Sequence, residues 1–290
     1  MCDQDDFDEM NYGRSATVSR RQFGALVAGA GLVSLLPREA HAGAVSGASV
    51  DIRTPDGICD AYFTHPKTGA HPGVLMWPDI FGLRPTFQAM ADRLAGSGYA
   101  VLVVNPFYRI KRAPTAPPHP DFNDPATRRE LMHLMHSLTP RKTVTDARAF
   151  VPWLEGRAAV SKTRKMASTG YCMGGPFTLR TAAAFPERIG AGATFHGAGL
   201  VTDAPDSPHL LIPHIKAQYL MAIAASDDEK QPQAKTVLRE AFRRAHLEAE
   251  IEVYRGTQHG WCVPDSRVYD PVQAEKAWAR QLVLLKRALA

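Results

Sequence analysis

The hexapeptide Gly170-Tyr171-Cys172-Met173-Gly174-Gly175 narrows the folds open to this chain more than any other stretch. A short run at 165–169 precedes it and an apolar segment at 176–185 follows, which reads as strand, sharp turn and helix. Glycines two before and two after Cys172 suit a turn so tight that neighbouring chain passes where a Cβ would stand. Such a turn lifts the thiol above the edge of a sheet and sets it at a helix N-terminus, where partial positive charge favours thiolate. A buried structural cysteine in a glycine turn fits the same six residues, because free Cys is among the most buried residue types. The rest of the chain has to decide.

The chain has 290 residues, and its first forty or so are read apart from the fold. Ser19-Arg20-Arg21-Gln22-Phe23 is a twin-arginine pattern, followed by an apolar run at 24–36 and by the small-residue signature Ala40-His41-Ala42. That run is shorter than the roughly 20 residues a bilayer-spanning helix needs. Residues 1–42 are therefore expected to be a cleaved Tat-type export signal, with contact to a membrane only in transit and a periplasmic or extracellular destination. Residues 43–290 suit one α/β domain with a full core. The 34 Lys and Arg exceed the 29 Asp and Glu, a formal net charge of +5, but they are scattered and form no basic stripe with interleaved aromatics. That argues against a nucleic-acid partner. Beyond Cys2, the cysteines are Cys59, Cys172 and Cys262, an odd number, so at least one thiol is free or pairs between chains. No C-x-x-C or Cys/His zinc spacing occurs, and no metal is expected.

Taken in order, residues 48–53, the turn Thr54-Pro55-Asp56-Gly57 and residues 58–63 predict a β-hairpin at the edge of a sheet. Residues 73–77 and 99–104 are continuous apolar runs of the kind seen in strands covered on both faces, with a helix predicted over 87–96 between them. Strand, helix, strand in this order signals a doubly wound, mostly parallel sheet with helices on both faces. A long Pro-rich, basic excursion at 105–124 precedes predicted helices over 125–137 and 144–154, and is read as a lid or a substrate wall. Further strands are predicted at 190–197, 218–223 and 250–254, with helices at 234–246 and 274–289.

Three chemistry-bearing residues fall at equivalent topological places. Cys172 follows one strand, Asp227 or Asp228 a later one and His259 the last, each at the C-terminal edge of a parallel sheet, where ligands bind. Nucleophile, acid and histidine in that chain order define a triad. Each type has its task. A thiol of ordinary pKa is mostly protonated at neutral pH, so His259 must accept its proton, or hold the thiolate as an ion pair, and later protonate a leaving group. An ionised Asp holds the imidazole tautomer and stabilises the imidazolium. The backbone N–H of Met173, just after the nucleophile, and of Ile80, at the end of an earlier strand, are the natural oxyanion donors.

With these residues in view, the sequence resembles the dienelactone hydrolase family, a Cys-His-Asp branch of the α/β-hydrolases. Pro78-Asp79-Ile80-Phe81-Gly82 resembles the family's E-I-F-G loop, Gly170–Gly175 its G-[YF]-C-x-G-G elbow, and Gln258-His259-Gly260-Trp261 its H-[GS]-F histidine loop. The resemblance spans about 50–289 and implies cofactor-free hydrolysis of lactones or related esters, with Cys172 as nucleophile, His259 as base, and Ile80 and Met173 as oxyanion donors. Three positions depart from the pattern. Asp79 stands where dienelactone-cleaving members have a Glu that holds the resting thiol neutral. Val263 replaces an Arg that binds a substrate carboxylate, and a second family Arg, in the loop after the strand at 99–104, matches Arg109 only loosely. Neutral esters are therefore expected to be preferred. Counting from the strand end favours Asp227 as the acid and counting back from Pro232 favours Asp228; Asp227 is taken.

Asp79, Phe81 and Trp261 are expected to line the substrate pocket, and Trp77 and His196 to belong to the core. His133 and His136 are read as an exposed stripe of the excursion helix, since spacing i, i+3 without a third ligand is poor metal evidence. Cys262 is read as a small buried residue. The expectation is a monomeric hydrolase of a small ester or lactone working through an acyl-enzyme. The rivals are a ligand-binding protein on the same fold, and a thiol-redox protein that pairs Cys172 with Cys262.

Overall fold

The computed structural model describes residues 44–117, 120 and 122–290. The expected export segment, residues 1–42, lies outside the described residues. One sheet of eight strands, in the order β1-β2-β4-β3-β5-β6-β7-β8, organises the rest. The hairpin β1 (Val45–Thr54) and β2 (Gly57–Pro66) sits at one edge and pairs antiparallel with β4 (Ala100–Val104), while β3 (Gly73–Trp77), β5 (Met166–Tyr171), β6 (Ile189–Phe195), β7 (Gln218–Ala224) and β8 (Ala249–Tyr254) join β4 in parallel ladders.

The hairpin turn closes on Thr54 opposite Gly57. The Thr54 hydroxyl accepts from the Asp56 N–H at 3.1 Å and donates to the Gly57 carbonyl at 3.0 Å. Gly57 has φ +138°, which a side chain rarely adopts. β3 and β4 are buried along their whole length, which is why they read as unbroken apolar runs, and β5 is equally buried although it carries Ser168 and Thr169. Their alternate residues divide into two core layers. Leu75, Trp77, Leu102, Val104 and Cys172 lie in one, and Val74, Met76, Val101, Val103 and Trp261 in the other.

Seven α-helices cover the sheet among the described residues: α1 (Pro85–Gly96), α2 (Pro125–His136), α3 (Pro140–Glu155), α4 (Gly175–Ala184), α5 (Ala225–Lys230), α6 (Ala234–Arg244) and α7 (Pro271–Ala288). Several helices start earlier than the sequence reading has them, α1 at Pro85 and α7 at Pro271 among them, and one helix was not predicted. α3 begins a turn earlier than 144, because the Thr139 hydroxyl caps the Lys142 N–H at 3.2 Å and Pro140 takes the first helical position. α5 has no counterpart in the sequence reading; its polar run Ala-Ser-Asp-Asp-Glu-Lys carries no apolar period to announce a helix.

The excursion after β4 is anchored rather than solvated. Asn105 is buried, and its side chain donates to Asp60 at 2.9 Å and to the Lys111 carbonyl at 2.9 Å. Tyr108 donates to the buried Asp146 of α3 at 2.8 Å, and Arg109 bridges Asp146 and Asp56 with ion pairs of 2.7 and 2.6 Å. Arg109 thus ties the excursion to α3 and to the hairpin turn.

Candidate active site

β5 ends in a strained corner. Cys172 has φ +50°, the left-handed region that costs a non-glycine residue on the order of 1–3 kcal/mol. The surrounding glycines remove the steric obstacles that would forbid it. A Cβ on Gly174 would lie 2.5 Å from the Trp77 carbonyl oxygen and 2.8 Å from that of Pro78, so the end of β3 presses directly on the turn. A Cβ on Gly170 would meet the Gly174 carbonyl oxygen at 2.2 Å. These contacts bring the Ile80 loop beside the Cys172 turn. Gly82 N–H donates to the Asp79 carbonyl at 3.0 Å and Phe81 N–H to the Asp79 carboxylate at 2.9 Å. Among the described residues the Ile80 N–H has no acceptor, and Met173 stands in the first turn of the short helical segment Cys172–Gly174, where amides lack intrahelical partners.

His259 follows β8 and Asp227 opens α5, and the structure brings both to Cys172. His259 Nδ1 lies 2.9 Å from Asp227 Oδ1 and 3.0 Å from Oδ2, while the ring also interacts electrostatically with the Cys172 sulfur. With Nδ1 held by the carboxylate, Nε2 is the nitrogen left to face sulfur. The loops carrying acid and histidine are stitched together. Ser226 Oγ accepts from the His259 N–H at 3.0 Å, Thr257 Oγ1 accepts from the Ala225 N–H at 3.2 Å, and the Thr257 hydroxyl donates to the Tyr254 carbonyl at 2.7 Å. Asp228 points elsewhere, into an ion pair with Lys235 at 2.6 Å, which settles which carboxylate meets His259.

Burial drives the His259 imidazole toward its neutral form, but the Asp227 carboxylate and the Cys172 sulfur outweigh it and hold the ring's pKa well above the ordinary histidine range. Beside it stands His196, fully buried, with its ring edge against that of His259 at 5.0 Å between centroids. His196 has φ +40°, and neither ring nitrogen finds a partner among the described residues. Burial, reinforced by His259, pushes its pKa well below the usual value, so it stays neutral. It is a core histidine as expected, yet one in contact with the site.

The three residues expected in the pocket stand otherwise. The Asp79 carboxylate, 1% exposed, is consumed by Arg84 through contacts of 2.7 and 2.9 Å and by the Phe81 N–H. Aspartate is one methylene shorter than glutamate, and here it turns to Arg84. Trp261 is fully buried and stacks against Tyr254 at 4.5 Å in the other core layer, on the far side of the sheet from Cys172. Phe81 lies in the Cys172 layer, with the Arg84 guanidinium 5.4 Å from its ring centroid. None of the three lines the cavity beside the elbow.

That cavity, about 460 Å³, opens next to Met173. Its walls come from Met135 and His136 at the end of α2, Pro140 at the start of α3, Phe177 and Arg180 of α4, and the loop from Ala198 to Pro208. The excursion thus supplies a wall. Val263 is 1% exposed and contributes nothing to it. Cys262 belongs to the opposite core layer from Cys172, and Cys59, Cys172 and Cys262 are all free thiols.

Sequence reasoning missed Arg84, which bridges Asp79 to Asp265 with contacts of 2.7 and 2.8 Å to the latter and so ties the Ile80 loop to the histidine loop. It also missed Ser226 and Thr257; their adjacency to Asp227 and His259 was the available signal. The sheet order and the strained turn at the end of β5 define an α/β-hydrolase.

The comparisons agree with that class. The model of the dienelactone hydrolase family matches residues 59–289, and the chain belongs to this family of ester and lactone hydrolases. It is 26% identical over 242 residues to a probable 2-oxo-3-(5-oxofuran-2-ylidene)propanoate lactonase of Bradyrhizobium, covering 82% of this chain and 92% of that one. It is 25% identical over 229 residues to carboxymethylenebutenolidase 1 of Cupriavidus pinatubonensis, covering 79% and 92% respectively. Among solved structures, a dienelactone hydrolase-like promiscuous phosphotriesterase from metagenomic libraries superposes with a TM-score of 0.69 at 21% identity over 86% of this chain and all of the other. The dienelactone hydrolase of Anabaena variabilis superposes at 0.62 and 15% identity, over 85% and 99%. At such identities the superpositions speak to the fold.

Proposed function

We propose that the chain opens a small carboxylic ester or lactone by acyl transfer to Cys172. His259 holds Cys172 as a thiolate–imidazolium pair; the thiolate adds to the carbonyl carbon, and the carbonyl oxygen becomes an oxyanion facing the N–H groups of Ile80 and Met173. The intermediate collapses, the C–O bond breaks, and His259 returns the proton to the departing alkoxide. In a lactone that alkoxide remains attached, so the product of this half is a single thioester. Water, deprotonated by His259, then attacks the thioester and releases the acid and the thiol. Asp227 keeps the proton on Nδ1 and offsets the imidazolium charge during each transfer. The observation that carries this reading is one imidazole held by Asp227 on one nitrogen and coupled electrostatically to the sulfur of a strained Cys172.

The rival redox reading loses its basis because Cys172 and Cys262 belong to opposite core layers. Hydrolysis of 4-nitrophenyl acetate tests the proposal: activity should vanish in Cys172→Ala and after iodoacetamide, whose adduct is mapped to Cys172 by mass spectrometry. Undiminished activity in Cys172→Ala would remove the thiol from the mechanism. The same reading includes export through the twin-arginine segment around Arg20 and Arg21; Arg20→Lys with Arg21→Lys should retain the protein in the cytoplasm on cell fractionation.

A further inference from the structure

The cavity beside Met173 is mostly apolar, with Met135, Leu138, Pro140, Phe177 and Ala198 among its lining residues. One cation breaks that surface. Arg180 sits in the cavity wall, and among the described residues it makes no hydrogen bond and no ion pair. Its guanidinium lies 5.9 Å from the Phe177 ring centroid, a distant cation–π contact. Asp206, on the opposing loop, is exposed at the rim and forms no ion pair with it. Thr202 and His136 supply the remaining polar groups of the wall.

A guanidinium drawn out of water without a carboxylate partner is costly, and half-buried arginines normally avoid that state by pairing. Burial pushes the Arg180 guanidinium down from its ordinary value, with Asp206 only partly opposing. The position is also fixed by the elbow. Arg180 is the sixth residue of α4, the helix that starts just after Cys172. Helical side chains lean toward the N-terminus, so its long stem reaches back in the direction of the thiol.

We propose that this cavity receives a substrate group with an apolar body and an anionic end, and that Arg180 pairs with that anion. The proposal rests on the hydrolase reading above and names its substrate class: an ester or lactone carrying a carboxylate separated from the reacting carbonyl by an apolar spacer. It reverses the preference for neutral esters expected from Val263. Val263 is buried outside the cavity, whereas the cation enters from α4. A planar guanidinium, with its forked donors, suits a carboxylate held in two hydrogen bonds.

Two matched ester pairs test the idea on the full domain. Mono-4-nitrophenyl adipate against 4-nitrophenyl hexanoate places the charge on the acyl side, and 4-acetoxybenzoate against phenyl acetate places it on the leaving group. For at least one pair, Arg180→Gln should lower kcat/KM of the anionic ester relative to the neutral one by about 10- to 100-fold, mainly through KM, as expected for a charge-assisted hydrogen-bonded pair. Arg180→Lys should restore part of the loss, and Arg180→Glu should deepen it. A ratio that stays within about twofold for both pairs, or an equal loss on both members of each pair, overturns the proposal and leaves Arg180 a structural residue of α4. Calorimetric binding of adipic acid monoanilide to Cys172→Ala, with and without Arg180→Gln, separates this idea from the mechanism. If no ester is hydrolysed but the monoanilide still binds in an Arg180-dependent way, the anion site stands and the catalytic reading falls. Equal binding by both variants removes the site.

Discussion

At the floor of the site Cys172, Asp227 and His259 are placed by backbone, whereas the cavity beside them is walled by side chains gathered from α2, α3, α4 and the loop after β6. On the floor, β3 presses on Gly174 and the hydroxyls of Ser226 and Thr257 lock the acid and histidine loops together. On the wall, Met135, Pro140 and Arg180 meet only because helices from separate stretches of chain pack side by side. The contrast teaches that reaction and preference are under separate control here. The floor tolerates almost no change, because its geometry is a matter of close approach. The wall can change residue by residue while the floor stays intact.

The largest expected effect belongs to the floor. Cys172→Ala should reduce ester hydrolysis by about 10⁴-fold or more, measured as kcat with 4-nitrophenyl acetate, since loss of a nucleophile removes the covalent route altogether. The two neighbouring aspartates sharpen the same point. Asp227→Asn should lower kcat by about 10³-fold, because an amide no longer enforces the Nδ1–H tautomer, while Asp228→Asn, which breaks only the partly exposed pair with Lys235, should stay within about threefold. Comparable losses in both would erase the distinction between them.

Arg84→Met probes the joint between the Ile80 loop and the histidine loop. It leaves the buried Asp79 carboxylate without its cation, so chemical unfolding should show a loss of about 3 kcal/mol. A change below about 1 kcal/mol would mean that Arg84 is an ornament of the surface. On the wall, Met135→Ala should alter KM for esters with bulky groups by several-fold and kcat for the acetate hardly at all. A large fall in the acetate kcat would break the separation of floor from wall.

The smallest effect is one of pH. His196 is kept neutral in the folded state, with a pKa well below 6.5, whereas an unfolded chain takes up the proton near that value. Protons therefore bind the unfolded state preferentially, and His196 contributes a loss of stability as pH falls below about 6.5. His259, with its pKa raised, acts in the opposite sense: its contribution is present below about 6.5 and is lost as pH climbs through the raised folded value. His196→Gln should flatten the fall in thermal stability between pH 7 and pH 5. An unchanged slope would show that the buried ring is not what the acid form opposes.

Much of the floor was legible from sequence. The glycines around Cys172 announced a turn of forbidden tightness, and the strand ends before Asp227 and His259 placed both at one sheet edge. The pocket was not legible. Asp79 and Trp261, adjacent in sequence to site residues, turn away into an ion pair and into the opposite core layer. Adjacency along the chain says little about direction, because side chains at a loop corner point wherever packing admits them. Nor did α5 declare itself, since its residues are polar all round.

What the sequence by itself determined is the parallel sheet and the order in which a thiol, a carboxylate and an imidazole arrive at its edge. Those follow from local periodicity and from glycines that permit one conformation, both properties of short stretches of chain. Only the tertiary structure decided that Asp227 rather than Asp228 meets His259, that Asp79 belongs to Arg84, and that Arg180 faces a cavity without a partner. Each depends on the direction of a side chain relative to residues far away in sequence, and that direction is set by packing and by competition among charges, which no local pattern records.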